Sequence, residues 1–224
     1  MHLRLGNQQM EYDATLQNAS IVLEMKHRSL EHLHREWLLT NALGGFASGT
    51  VSGINTRRYH SHLIAAMRPP VQRVNTINQL GEILHVGKQT YELFSHEFRP
   101  PAIGVTAFHP RGFSYLAKFE KHHDRVIWHY ELPELHLTKT LQLGDGANTC
   151  RIGYAITAED KVPPVRMAVI PFLSMRDFHG LQGFTEDEIY HVAYGGGHVQ
   201  IDKVHEPSLS IEAGTGMYHH RPDW

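Results

Sequence analysis

One cysteine, Cys150, stands in 224 residues. An internal disulfide is therefore excluded, and a reducing compartment fits without being required. Its neighbours alternate like a strand, which points to a buried, inert thiol. No run of about 18 apolar residues occurs, and the first residues lack an apolar signal core. Neither a membrane span nor a secretory leader is expected, and the protein is read as cytoplasmic. Charge of one sign is also lacking. Lys and Arg number 21 against 23 Asp and Glu, for a net charge of −2, so no field for a polyanion arises and nucleic acid is not an expected partner. Nucleotide loops are missing too. Gly44 to Gly49 has phosphate-loop spacing, but Thr50 stands where the lysine is needed, and no Gly-x-Gly-x-x-Gly is present. Ser48 is not in a nucleophile elbow, because Phe46 replaces the first glycine.

What is there is alternation of period two. Val126, Trp128, Tyr130 and Leu132 share one face of a strand, with Ile127, His129 and Glu131 opposite. Leu135, Leu137, Leu141 and Leu143 repeat the pattern, interrupted by Lys139. Ile152, Tyr154 and Ile156 form another face, then Tyr190, Val192 and Tyr194, Val199 and Ile201, and Leu209 and Ile211. Turn signals separate them at Gly87, His123-Asp124, Gly144-Asp145-Gly146 and Gly195-Gly196-Gly197. Short alternating strands at this spacing predict an all-β antiparallel sandwich. Trp128 is predicted to be buried between its sheets. Residues 21 to 34 are the one stretch with helical spacing, through Leu23, Leu30 and Leu33, although Ile21 and Val22 favour a strand. Pro69-Pro70, Pro100-Pro101 and Pro163-Pro164 read as loops, so the 224 residues are read as a single domain.

Nineteen histidines raise the question of a metal. Strand-borne His60-x-His62 and His32-x-His34 would each put two imidazoles on one face, whereas His122-His123 and His219-His220 point to opposite faces. No third ligand is marked by spacing, so solvated or hydrogen-bonded imidazoles are expected, with no metal and no cofactor.

The most informative segment runs Glu36-Trp-Leu-Leu-Thr-Asn-Ala-Leu-Gly-Gly-Phe-Ala-Ser-Gly-Thr to Thr56-Arg-Arg-Tyr-His-Ser-His-Leu63. Gly44, Gly45, Gly49 and Gly53 crowd into ten positions, as a tightly folded loop requires. A second cluster, Arg176-Asp-Phe-His179, follows the apolar stretch from Ile170. Its residue types suit sugar recognition: bidentate donors and acceptors for hydroxyl pairs and an aromatic face for a ring. The plainer alternative is an ion pair of Asp177 with Arg176 or Arg57 that pins the loop, with His60 and His179 completing the network. The Gly44 to Gly53 loop and the Arg176 to His179 cluster, both polar and far apart in sequence, are expected to converge in space.

These two collinear segments resemble the N-terminal domain of bacterial and archaeal glycogen debranching enzymes, the amylo-α-1,6-glucosidase family. The resemblance runs from about Glu36 onward. It departs at Ala42 and Ser61, where the family commonly has glycine. It implies a super-β-sandwich like that of the sugar mutarotases, with α-glucan as ligand and Asn41, Arg57, Arg58, His60, Arg176, Asp177 and His179 as substrate-binding candidates. In the family a tripeptide like Pro222-Asp-Trp224 leads into an (α/α) barrel, which holds the two carboxylates of glycoside hydrolysis. The resemblance therefore implies a sandwich without catalytic residues, partnered by that barrel. It further implies an apolar docking surface that permits a homo-oligomer. Two alternatives remain open from sequence. One is an independent glycan-binding module. The other is an aldose-epimerase-like enzyme using His60 or His179 with Asp177 as its acid-base pair.

Overall fold

The computed structural model describes residues 20–25, 30–68, 71–99, 104–158, 162–181, 190–195 and 197–219. Among them it is an antiparallel all-β sandwich. One layer has five strands in the order β1 (Ile21–Glu24), β9 (Leu116–Lys121), β10 (Arg125–Glu131), β11 (Leu135–Leu143) and β12 (Cys150–Ala158). The facing layer runs β13 (Val165–Asp177), β5 (Gln72–Val86), β4 (Ser61–Arg68), β3 (Phe46–Thr50) and β2 (Glu36–Thr40). Strand β5 is long enough to serve two partners on one edge, β4 near its start and β6 (Gln89–Glu92) near its end. Its other edge belongs to β13 throughout.

The alternation read from sequence fills the space between these layers. Val126, Trp128 and Tyr130 are buried on β10, as are Leu135, Leu137, Leu141 and Leu143 on β11. Opposite them lie Trp37 and Leu39 of β2, Leu63 and Ala65 of β4, and Leu84 and Val86 of β5. Trp128 is 2% exposed. Its ring meets Trp37 edge to face at 5.6 Å, and its indole N–H donates to the Val51 carbonyl at 2.9 Å. A buried indole needs such an acceptor, and Val51 supplies it from the far layer.

Lys139 breaks the apolar run on β11 for a structural reason. Its ammonium is sealed between the layers on Glu82 of β5, at 2.5 Å. Tyr154 donates to Glu82 at 2.8 Å, and His62 lies 3.4 Å from the Lys139 nitrogen. Burial and the Lys139 charge hold His62 well below the usual histidine range.

Two small sheets complete the fold. Strands β7 (Ser95–Phe98) and β8 (Ala107–Arg111) pair beside a 3₁₀ turn at Gly112–Tyr115. A Cβ on Gly112 would fall 2.1 Å from the Leu93 carbonyl carbon, so only glycine permits this approach. Strands β14 (Tyr190–Gly195), β15 (His198–Lys203) and β16 (Leu209–Glu212) form a three-stranded sheet. Its Val199 and Ile201 pack with Met175 and Leu173, from the end of β13.

Several expectations are revised. Residues 21 to 34 do not form one helix: the β-branched pair Ile21 and Val22 lies in β1, and the helix described here, α1, spans Leu30–Leu33. His32 consequently sits on a helix rather than a strand, and His34 beyond it contacts Glu97 at 2.6 Å. On the edge strand β12, Ile152 and Tyr154 are half-buried while Ile156 is exposed, because no neighbour covers that side among the described residues. Burial pushes the Cys150 thiol up to about 12, in keeping with an inert role. Pro69-Pro70, Pro100-Pro101, Gly196, His220 and Pro222-Asp-Trp224 lie outside the described residues.

Candidate functional site

The glycine-rich segment is a loop system stitched by its own small polar side chains. Asn41 directly follows β2, and its side-chain oxygen accepts from the backbone N–H of Leu43 at 3.1 Å and of Gly45 at 2.8 Å. Its amide donates to the Ala147 carbonyl at 2.9 Å, tying this turn to the β11–β12 turn. Gly44 takes φ 84°, a conformation that favours glycine. After β3, Thr50 donates to the Ile54 carbonyl at 2.7 Å and Ser52 to the Leu33 carbonyl at 2.9 Å. Ser61, a departure from the family pattern, is fully buried, and its hydroxyl lies 2.8 Å from the Ile77 carbonyl. The extra side chain is thus accommodated.

The second cluster is aimed by a distortion. Strand β13 slips register against β5 between Leu173 and Arg176, and the buried Met175 inside the slip has φ 35°. A bulge of this kind redirects the next side chain. The Arg176 guanidinium turns onto the carbonyls of Asp177 at 3.0 Å, Gly180 at 2.7 Å and Arg58 at 2.8 Å. Asp177 accepts from the backbone N–H of His179 at 2.9 Å. The Arg58 guanidinium donates to the His179 carbonyl and to the Tyr59 hydroxyl, both at 2.9 Å. That hydroxyl lies 3.1 Å from Nδ1 of His179. The 58–59 segment and the Arg176–His179 cluster meet here, and the Gly44–Gly53 loop reaches the same cluster through Phe46, whose ring lies 6.2 Å from that of Phe178.

Aromatic rings form a ledge beside this network. Phe178 packs against Tyr59 at 5.8 Å and Phe46 at 6.2 Å, and the guanidinium of Arg73 lies 5.6 Å from its centroid. Arg73 also donates to the Gly44 carbonyl at 2.7 Å, binding the glycine loop to the ledge. Next to it opens a groove of about 410 Å³, lined by Arg57, Arg58, Arg176, Asn55, Asn78, Ser174, Leu173 and Leu181 among others.

The seven candidates therefore divide. Arg57, Arg58 and Arg176 line the groove, and Asp177 and His179 shape the loop beside it. Asn41 is occupied in holding its own turn. His60 is buried, accepts from the Thr56 N–H at 3.1 Å and faces Glu36 at 3.3 Å. Burial lowers its pKa against the opposing pull of Glu36. Arg57 pairs with Glu36 at 2.5 Å, not with Asp177. Arg176 does pin the loop, through backbone carbonyls instead of the Asp177 carboxylate. Asp177 holds the backbone of His179 and not its ring, so no carboxylate-imidazole pair of the epimerase kind is assembled there. Among the described residues no group of three His, Cys, Asp or Glu is arranged to hold a metal.

Sequence reasoning did not single out Tyr59, Arg73, Asn75 or Asn78 for the site. Tyr59 and Arg73 lie close to quoted motifs, but nothing in their spacing marks a partner more than a hundred residues away. Asn78, and Asn75, whose amide donates to the Arg58 carbonyl at 3.3 Å, were legible only as two of many polar residues in their strand.

The family model described as glycogen debranching enzyme N terminal matches residues 35–224. The chain belongs to that family. No curated protein and no solved structure matches the chain. Within this debranching-enzyme N-terminal domain, both resemblance-bearing segments fall inside the matched residues, and they are the two segments that the fold brings together. No helix among the described residues is long and apolar enough to cross a membrane.

Proposed function

We propose that this domain is the non-catalytic partner of an (α/α)-barrel glucosidase acting on the α-1,6-linked glucose stubs of glycogen. The barrel supplies the acid and nucleophile or base, while the sandwich packs on it and shapes its cleft. The ledge of Phe178, Tyr59 and His179 meets the α-glucan chain at the rim, offering ring faces and polar edges together. The observation that carries this reading is the convergence of the 57–60 and 176–180 segments into one exposed aromatic and arginine surface. Exposed Ile156 and Val169, on the edge strands β12 and β13, supply apolar surface for a partner. Without the barrel, the same surface supports homo-oligomers. The setting is cytoplasmic glycogen breakdown.

The test compares glucose release from a branched limit dextrin by these 224 residues, by the helical barrel domain and by the two together. The 224 residues alone should release none, and addition of the sandwich should raise the activity of the barrel. Robust release by the sandwich alone would overturn the division of roles. No observation favours the independent glycan-binding module over this reading.

A further inference from the structure

The loop that carries Arg57, Arg58 and Tyr59 to the ledge is closed by one buried ring. Residues 55–58 are exposed, whereas His60, just before β4, is 3% exposed. Nδ1 of its imidazole accepts from the backbone N–H of Thr56 at 3.1 Å, and its own backbone N–H donates to the Arg57 carbonyl at 3.0 Å. The remaining ties act further along the loop. The Arg58 carbonyl is held by Arg176 at 2.8 Å and by Asn75 at 3.3 Å, and the Tyr59 carbonyl by Ser48 at 2.8 Å. The Thr56 end is therefore held through the imidazole.

An acceptor at Nδ1 fixes the tautomer. The proton of the neutral ring then sits on Nε2, which faces the Glu36 carboxylate at 3.3 Å. Glu36, from β2, is shared with Arg57, whose Nε lies 2.5 Å from the same oxygen. These two are the charged groups around the ring. Burial is the largest influence and opposes protonation, Glu36 favours it, and Arg57 adds to the opposition, so His60 gains a second proton only below the ordinary histidine range. Gaining it reverses one hydrogen bond. Nδ1 then carries a hydrogen toward the Thr56 N–H, and a donor faces a donor. An asparagine would hold the same N–H at any pH, whereas an imidazole turns from acceptor to donor in mildly acidic solution.

We propose that His60 is a positioning residue for the aromatic and arginine ledge, and that its protonation releases the Thr56 end of the loop and weakens the hold of the ledge on glucan. The neutral ring keeps Arg57, Arg58 and Tyr59 in one arrangement beside Phe178 and His179. The imidazolium gives up the Thr56 N–H and repels Arg57. Glucan binding at the ledge thus becomes sensitive to acid through a residue that does not touch the sugar. The consequence for glucan rests on the proposed function, while the latch itself stands on Thr56, His60, Glu36 and Arg57.

The experiment titrates the folded 224-residue chain between about pH 8 and pH 5. NMR reads the His60 ring and the Thr56 amide, and calorimetry reads maltotriose affinity. The Thr56 amide should lose its protection from exchange, relative to the unstructured rate at each pH, with the midpoint of the His60 ring. Maltotriose should bind about 5-fold more weakly once the ring is charged. In His60→Asn, whose side-chain oxygen replaces the acceptor without titrating, both changes should vanish although His179 remains in the ledge. Glu36→Gln should move the His60 midpoint further down, because the charge that favours the imidazolium is gone, and this variant decides the matter if His60→Asn does not fold. Thr56 protection that ignores the ring's titration, the same loss in His60→Asn, or a midpoint that Glu36→Gln leaves in place would overturn the proposal. So would a maltotriose affinity that stays constant while the Thr56 amide opens. Absence of maltotriose binding at every pH, with the Thr56 amide still following His60, would uphold the latch and sink the glucan reading of the ledge.

Discussion

The Arg176 guanidinium donates to the carbonyl oxygen of Arg58 at 2.8 Å, joining segments 118 residues apart in the chain. The same side chain also holds the carbonyls of Asp177 and Gly180. Replacement by alanine would free both segments together. Arg176→Ala should cost about 2 kcal/mol, the scale for losing hydrogen bonds to a charged group. Arg176→Lys should recover only part of it, because a point charge cannot reproduce the planar fork. Urea denaturation gives the loss, and hydrogen exchange should show faster exchange at the backbone N–H groups of Phe178, His179 and Gly180.

Trp128 fills the centre of the sandwich and closes a hydrogen bond across it. Trp128→Ala should destabilise by about 3–5 kcal/mol. Trp128→Phe should cost less, retaining ring volume while leaving the Val51 carbonyl without its donor. An unchanged melting temperature for the alanine variant would contradict the burial.

Lys139 and Glu82 are each almost fully buried and satisfy one another. Lys139→Met alone should cost about 3–5 kcal/mol, because the Glu82 carboxylate is left unpaired in the core. Adding Glu82→Leu should restore much of that stability. A double-mutant cycle measures this coupling, and purely additive losses would refute it.

His62 predicts a pH dependence whose sign follows from its environment. Its folded pKa lies well below the ordinary 6.5, so below pH 6.5 the unfolded chain binds a proton that the folded chain does not. Stability contributed by neutral His62 is present above that value and falls as pH drops through it, by at most about 1.4 kcal/mol per pH unit. His62→Gln should flatten the stability profile between about pH 5 and 6.5 relative to the parent chain.

Glu120 acts in the same direction at lower pH. Its carboxyl is held down to about 2, chiefly by the Lys118 hydrogen bond and also by His122 and His129. A carboxylate with a depressed folded pKa stabilises above its unfolded value of 4.5, and that contribution disappears as pH falls through about 2. Glu120→Gln should therefore lose stability at neutral pH and little at pH 2. Acid titration followed by circular dichroism tests the difference.

Much of the sandwich was legible from alternation alone, because a strand with one face in the core must write that face every second residue. Trp128, the leucines of β11 and the turns at Gly87 and Gly144 needed no tertiary information. The membership implied by residues 36–63 and 170–181 was likewise present in local order. What local order could not state was which distant groups would meet. The stretch from Ile21 resembled a helix because period 3.6 and period 2 share positions over so short a run. Lys139 looked like a break in its strand until Glu82 faced it across the core. Arg57 had Asp177 as its expected partner on paper, and the fold paired it with Glu36 instead. The bulge at Met175 turned Arg176 toward carbonyls instead of a carboxylate. The sequence by itself determined the layers, since burial is periodic along the chain. Only the tertiary structure decided the pairing of charges, because an ion pair depends on a distance through space that no spacing along the chain records.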